Sequence, residues 1–239
     1  MISWWSEEAE YIQVFGLHHF IYIGLMVTAL VILLIKREQV RENADKIANV
    51  ILVVSILQQV LLYSWYVFET GFNVSESLPL HICRIASLLG IYFLITKNKI
   101  ALDLLFYMGL FAYGSFLYPQ RVYPVYHVIG ISFVINHMVT ILLPYFGYIA
   151  YGWRPKWKGL LRTYAIFLAY FLFVYFLNPI IDGNYFYLKY RPFFKEWPDY
   201  LYIPAVLFVT FIGFVIAFIV ARSIGKASNK VELPSNLSR

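Results

Sequence analysis

Charge is scarce in this chain: only 13% of its 239 residues are Asp, Glu, Lys or Arg. A soluble globular domain carries about 25%. With 61% hydrophobic residues and a mean hydropathy of +0.68, that scarcity excludes a water-soluble globule. Cysteine is nearly absent. A single one, Cys83, cannot form an intramolecular disulfide and gives no indication of redox compartment. Lys and Arg are missing from residues 1–13, so the basic n-region of a cleaved signal peptide is not there and the start reads as mature sequence. No lysine lies in the last apolar run, which excludes a retinal Schiff base. No internal repeat marks an inverted-repeat transporter. The net charge of +6 would fit a nucleic-acid binder, but the basic residues sit at the ends of apolar runs, where they set topology and meet anionic lipid. No basic-aromatic surface is left for nucleic acid.

What remains is apolar segments of membrane-crossing length, with 20% aromatic residues suited to lipid–water boundaries. The expected fold is all-α and polytopic, a single membrane domain, 1–239. Its seven spans fall at about 14–35, 47–68, 78–95, 100–118, 123–150, 160–181 and 201–221, followed by a basic, disordered tail at 222–239. Connectors after spans one, three, five and seven hold four, two, four and four Lys or Arg (counting Arg162), and the others none, one and three. That excess of fourteen over four places the N-terminus outside and the C-terminus inside. The localisation that follows is multi-pass in a cell membrane, of bacterial plasma-membrane type.

Polar residues are unevenly spread along these spans. Leu78-Pro79-Leu80-His81-Ile82-Cys83-Arg84 puts a histidine, the cysteine and an arginine at the head of the third span. Ionisable residues within the membrane are costly and read as functional by default. Pro79 suits the first turn of a helix. Helical spacing then sets His81 and Arg84 on one face and Cys83 about 200° from His81, at ~100° per residue. His18, His19, Glu69, Gln120, Arg121, His127, Asn178 and Asp182 belong to the outward half with His81 and Arg84. Gln58, Gln59, Asn136 and His137 lie near mid-depth, His137 about 20 Å in from Tyr123 at 1.5 Å per residue. This pattern predicts a polar cavity open to the outer side.

Each residue also has a structural reading. His18 and His19 are ordinary at a membrane edge, and Gln58 and Gln59 serve equally as interhelical hydrogen-bond glue. Arg84 fits snorkelling, or pairing with Glu69 or Glu76. Cys83 fits a small buried hydrophobe. His137 beside Asn136 at mid-depth has the weakest structural explanation.

His81 within Leu-Pro-Leu-His-x-Cys, Asn136-His137 after Phe-Val-Ile, and Asn184-Tyr185 followed by Lys189-x-x-Pro together resemble the YwaF-like bacterial integral membrane proteins, themselves similar to the transmembrane protein 164 family of animals. The resemblance covers most of the chain, from the third span to the sixth loop. It implies a phospholipid acyltransferase with a cysteine–histidine pair. His81 matches the histidine of that family's Pro-Cys-His stretch, and His137 its later Gln-His. Leu80 stands where the family has its cysteine, and Cys83 follows a helical turn later.

The functional expectation is action on phospholipid acyl chains, by transfer or hydrolysis. Cys83 is the nucleophile, His137 the general base, and His81 or Gln58 orients the base or donates to the oxyanion. The cavity is lined by Arg84, Gln58, Gln59, His127, Asn136, Asn184, Tyr185 and Lys189. Membrane lipid is the expected partner, with no cofactor and no metal. Non-enzymatic binding or transport of a lipid or small solute is the rival. Transport would need access from the inward half, where few polar groups besides Asp103 lie. A zinc hydrolase built on His81, His127 and His137 suits imidazole chemistry but lacks a compact motif.

Overall fold

The structure, a computed structural model, describes residues 4–231 and the side chains of residues 4–224. Among these the regular structure is entirely helical, as expected for a chain that must satisfy its backbone polar groups without water. The helices are α1 (Leu17–Ile35), α2 (Arg37–Glu42), α3 (Ala44–Phe68), α4 (Val74–Ser77), α5 (Ile82–Thr96), α6 (Lys99–Met108), α7 (Leu110–Leu117), α8 (Val128–Tyr151), α9 (Trp157–Ile181) and α10 (Asp199–Val231). A 3-10 turn, Tyr185–Tyr187, lies in the loop before α10.

Six rods are long and apolar enough to cross a membrane: α1, α3, α6 with α7, α8, α9 and α10. The apolar faces of these rods look outward; Phe68 and Ile180, for instance, are each 78% exposed. Such a surface would aggregate in water and suits lipid.

Three sequence expectations change. The third segment does not begin as a helix: Leu78 is extended, His81 is the N-cap, and helix starts only at Ile82. Pro79 therefore sits in the approach to the helix rather than in its first turn. With 15 residues, α5 is about 22 Å long, short of a ~30 Å hydrocarbon core. The connector after α1 is itself helical, as α2. The expected tail starts as a continuation of α10 to Val231, and its remainder lies outside the described residues.

Contacts between helix ends show how the chain runs. At one end, the Tyr151 hydroxyl closing α8 donates to Asp45 at the start of α3 (3.1 Å), and Lys97 after α5 lies over the Tyr151 ring. Trp153 Nε1 donates to Asp103 of α6 at 2.9 Å at that same end. At the other end, His19 of α1 donates from Nε2 to the Phe116 carbonyl of α7 (2.6 Å), and Tyr22 to the Tyr123 carbonyl (2.7 Å). Tyr175 late in α9 meets Asp199 at the start of α10 there. Successive rods are thus antiparallel except α3 and α6–α7, which run the same way because the short α5 returns between them, parallel to α8.

The centre of the bundle is α8. Thirteen of its residues are buried, among them Asn136, His137 and Thr140. Close approach needs small residues. A Cβ on Gly130 would overlap the Pro124 carbonyl and come within 2.6 Å of the Tyr22 hydroxyl, and one on Gly147 would overlap Leu102.

Candidate functional site

The head of α5 is built by tethers from three directions. Arg84 donates from Nη1 to the carbonyls of Glu76 (2.7 Å) and Leu78 (3.1 Å), and from Nη2 to the Tyr66 hydroxyl of α3. Its partners at Glu76 and Leu78 are backbone oxygens, not the carboxylates that sequence reasoning offered. Tyr185 holds the same segment from the far side. Its hydroxyl donates to the Val74 carbonyl at 2.7 Å and accepts from Leu78 N–H at 3.0 Å. The Tyr170 hydroxyl of α9 donates to the Leu80 carbonyl at 2.7 Å. Tyr185 is in turn clasped by Asn178, whose Nδ2 donates to its carbonyl (2.9 Å) and whose Oδ1 accepts its N–H (3.0 Å).

These tethers hold Leu78–His81 out of the helix, with Leu78 and His81 extended about a turn at Pro79-Leu80: the Leu78 N–H and the Leu78 and Leu80 carbonyls are taken by side chains from α5, α9 and the loop after α9. His81, the N-cap, makes no capping hydrogen bond and packs its ring against Tyr185 and Tyr187, with centroids 4.9 and 6.3 Å away.

Two residues into α5, Cys83 is half-buried between the two largest apolar clusters. Its thiol neighbours the Ser115 hydroxyl of α7, which donates to the Phe111 carbonyl. Its carbonyl accepts from Asn136 Nδ2 of α8, at 3.4 Å. One residue along α8, His137 is held by an Nδ1–H donated to the Phe133 carbonyl at 2.8 Å. That bond leaves Nε2 as the lone-pair nitrogen of the neutral ring. Phe133 and Phe116 pack around the imidazole, with ring centroids 4.1 and 6.0 Å away.

Among the described residues no hydrogen bond joins Cys83 to His137, and no ring contact joins His81 to His137. What connects the two segments is the Asn136 amide, together with α7, which gives Ser115 to Cys83 and Phe116 to His137. The Oδ1 of Asn136 is buried without a partner.

The other expected site residues divide by role. Gln58 Nε2 donates to Ser132 of α8 (2.7 Å), and Gln59 Nε2 to Gln58 Oε1 (2.8 Å) and Ser87 of α5 (3.1 Å). They stitch α3, α8 and α5 together, the interhelical reading. His127 uses both ring nitrogens structurally: Nδ1 accepts from Ile129 N–H as the cap of α8, and Nε2 donates to the Ser6 carbonyl. Asn184 Oδ1 accepts from Lys189 and Tyr190 N–H, both at 3.0 Å, shaping the loop. Lys189 pairs with Asp182 at 2.5 Å, which raises its pKa above the usual lysine value.

Sequence reasoning missed Ser115, Tyr170, Ser132 and Ser87, the partners of Cys83, Leu80, Gln58 and Gln59. Single hydroxyls in apolar helices carry no periodic or spacing signal. A cleft of about 360 Å³ lies away from this cluster, between α9 and α10, lined by apolar residues such as Phe171, Leu172 and Leu207. Among the described residues no three His, Cys, Asp or Glu side chains gather as a metal site, so His81, His127 and His137 stand apart.

No curated protein and no solved structure matches the chain. The sequence profile of the TMEM164 family matches residues 14–221, from before α1 to late in α10, so the whole helical bundle falls within it. The chain belongs to the TMEM164 family.

Proposed function

We propose that the protein acts on membrane phospholipid, moving an acyl chain to an acceptor alcohol or to water, from a cell membrane crossed seven times with the N-terminus outside. The observation that carries this reading is His137. It is a buried imidazole at mid-bundle whose Nδ1 is fixed by a backbone carbonyl while Nε2 makes no hydrogen bond. A general base needs that tautomer and that free nitrogen.

Cys83 supplies the nucleophile. It lies in the first turn of α5, where unpaired N–H groups favour negative charge, with the Arg84 guanidinium beside it. In the reaction His137 Nε2 takes the thiol proton and the sulfur attacks the ester carbonyl carbon. The glycerol oxygen then leaves with that proton, and an alcohol or water resolves the thioester. Cys83 and His137 must close on each other to begin. First-turn N–H groups of α5 are the candidate oxyanion donors, with His81 beside them.

The second reading is a lipid-binding protein without turnover. It is favoured by the mutual hydrogen bonding of Gln58, Gln59, Ser87 and Ser132, which is structural in kind. One experiment separates the two. Purified protein in phospholipid micelles is assayed for released or transferred acyl chain, alongside Cys83→Ala and His137→Ala. The acyl-transfer reading expects both variants to lose at least about a hundredfold. Loss with His137→Ala alone would make water or a hydroxyl the nucleophile. No turnover in any form, with lipid still bound, would leave the binding reading.

A further inference from the structure

We propose that Arg84 and Tyr66 hold the phosphate of a phospholipid at the mouth of the α5 head. The proposal deepens the lipid reading above by naming the headgroup contact. It begins from a charge imbalance. The ion pairs among the described residues are Lys189–Asp182 and Arg191–Asp199, both in the loop before α10. Arg84, half-buried at the head of an apolar helix, has none. Its hydrogen bonds go to neutral groups, which hold the guanidinium in place without neutralising it.

The placement is unfavourable without an anion. Arg84 is the third residue of α5, where the helix dipole disfavours a cation, and α5 has neither an acidic residue in its first turn nor a side-chain cap. Arg121 adds to the imbalance. It is bonded to the Tyr11 hydroxyl at 3.4 Å and, like Arg84, is an electrostatic neighbour of Tyr187; the acid acting on it is Glu76, which forms no ion pair with either arginine among the described residues.

The hydrogen-bond inventory points the same way. The Tyr66 hydroxyl accepts from Arg84, which leaves its own proton to donate, and no acceptor for it lies among the described residues although the side chain is only 7% exposed. Arg84 Nε–H is likewise without an acceptor there. Ser77 is fully buried with an unpartnered Oγ, and it sits between the two residues whose carbonyls Arg84 grips. Tyr63, with an unpartnered hydroxyl, is a further electrostatic neighbour of Arg84. A tetrahedral oxyanion accepts several such donors at once, and arginine presents them as a fork. At the end of a membrane helix, the abundant anion of that shape is the phosphodiester of a lipid. Cys83 is the next residue, so a lipid anchored here carries its ester groups toward the thiol.

The test uses the full chain in detergent micelles. Affinity is measured by thermophoresis for dioleoyl phosphatidylglycerol and for dioleoylglycerol, which lacks the phosphate. Wild type and Cys83→Ala are expected to prefer the phospholipid alike, so the inference survives even where the acyl-transfer chemistry fails. Arg84→Gln is expected to lose about tenfold or more of that preference, with affinity for dioleoylglycerol within about twofold. Arg84→Lys should keep part of it, and Tyr66→Phe should lose several-fold while sparing the tethers of Arg84 to Glu76 and Leu78. An unchanged preference in Tyr66→Phe and in whichever Arg84 variant folds would overturn the proposal and make Arg84 a backbone tether only. Displacement of the lipid by about 10 mM inorganic phosphate would assign the site to free phosphate instead.

Discussion

Cys83 and His137 show what a single side chain gains from its neighbours. Alone, a cysteine in an apolar segment is a small hydrophobe. Here it is placed in a helix's first turn, with the Ser115 hydroxyl of α7 as a neighbour of its thiol. A catalytic thiol should react with an acyl-mimicking electrophile much faster than a free thiol, and His137→Ala should slow that reaction. Mass-spectrometric labelling of Cys83 measures both, and an inert thiol in folded wild type would remove it as the nucleophile. Tyr185 gives a second prediction at this scale. Its hydroxyl serves both the Val74 carbonyl and the Leu78 N–H. Tyr185→Phe leaves those two backbone groups unpaired and should cost about 1–3 kcal/mol. Thermal unfolding in detergent reads the loss, and an unchanged midpoint would mean that Asn178 and Tyr170 alone hold the loop.

At the scale of elements, α8 matters most, because every other long segment packs on it directly or through a neighbour that does, α10 by way of Tyr107 of α6. Its glycines are therefore unequal to those elsewhere. Gly130→Ala pushes a methyl into the Pro124 carbonyl, a backbone atom that cannot rotate away, and should destabilise by about 1–3 kcal/mol or more. Gly24 on α1 has nothing within 4 Å of its Cβ position, so Gly24→Ala should be neutral or slightly stabilising. Equal unfolding midpoints for the two variants would contradict the packing described. The shortness of α5 belongs to this scale too. It is short because Arg84, Tyr170 and Tyr185 capture the backbone of residues 74–80, and those hydrogen bonds replace the turn of helix that Pro79 would otherwise begin.

For the whole molecule the open quantity is orientation. Contacts show which helix ends lie together, and the basic residues of 36–46, 97–99 and 154–162 all fall at the end marked by Tyr151. The positive-inside rule then predicts that end to be cytoplasmic. With Cys83→Ala as background, a cysteine at Asn43 should be protected from an impermeant maleimide and one at Ser75 should react in intact cells. The opposite pattern would invert the bundle and put the α5 head on the inner leaflet.

Composition and hydrophobic run length determined by themselves that this is an all-helical membrane protein, because uninterrupted apolar runs of about 20 residues satisfy their backbone in lipid as helices, whereas barrel strands are short and alternating. The positions of the long rods were legible for the same reason, and so was family membership, carried by His81, Asn136-His137 and Asn184-Tyr185. Counting residues along the spans gave the expectation of Gln58, Gln59 and His137 near mid-depth. Tertiary structure alone decided what those residues do. Gln58 and Gln59 became interhelical links because Ser132 and Ser87 happen to face them, and His127 became a cap because Ile129 N–H and the Ser6 carbonyl take its two nitrogens. The non-helical Leu78–His81 was only half legible: extension of Leu78 before Pro79 is a local preference, but the delay of helix to Ile82 is not. That delay is held by hydrogen bonds from Tyr170 and Tyr185, 90 and 107 residues away in sequence, and no local pattern encodes a partner that distant.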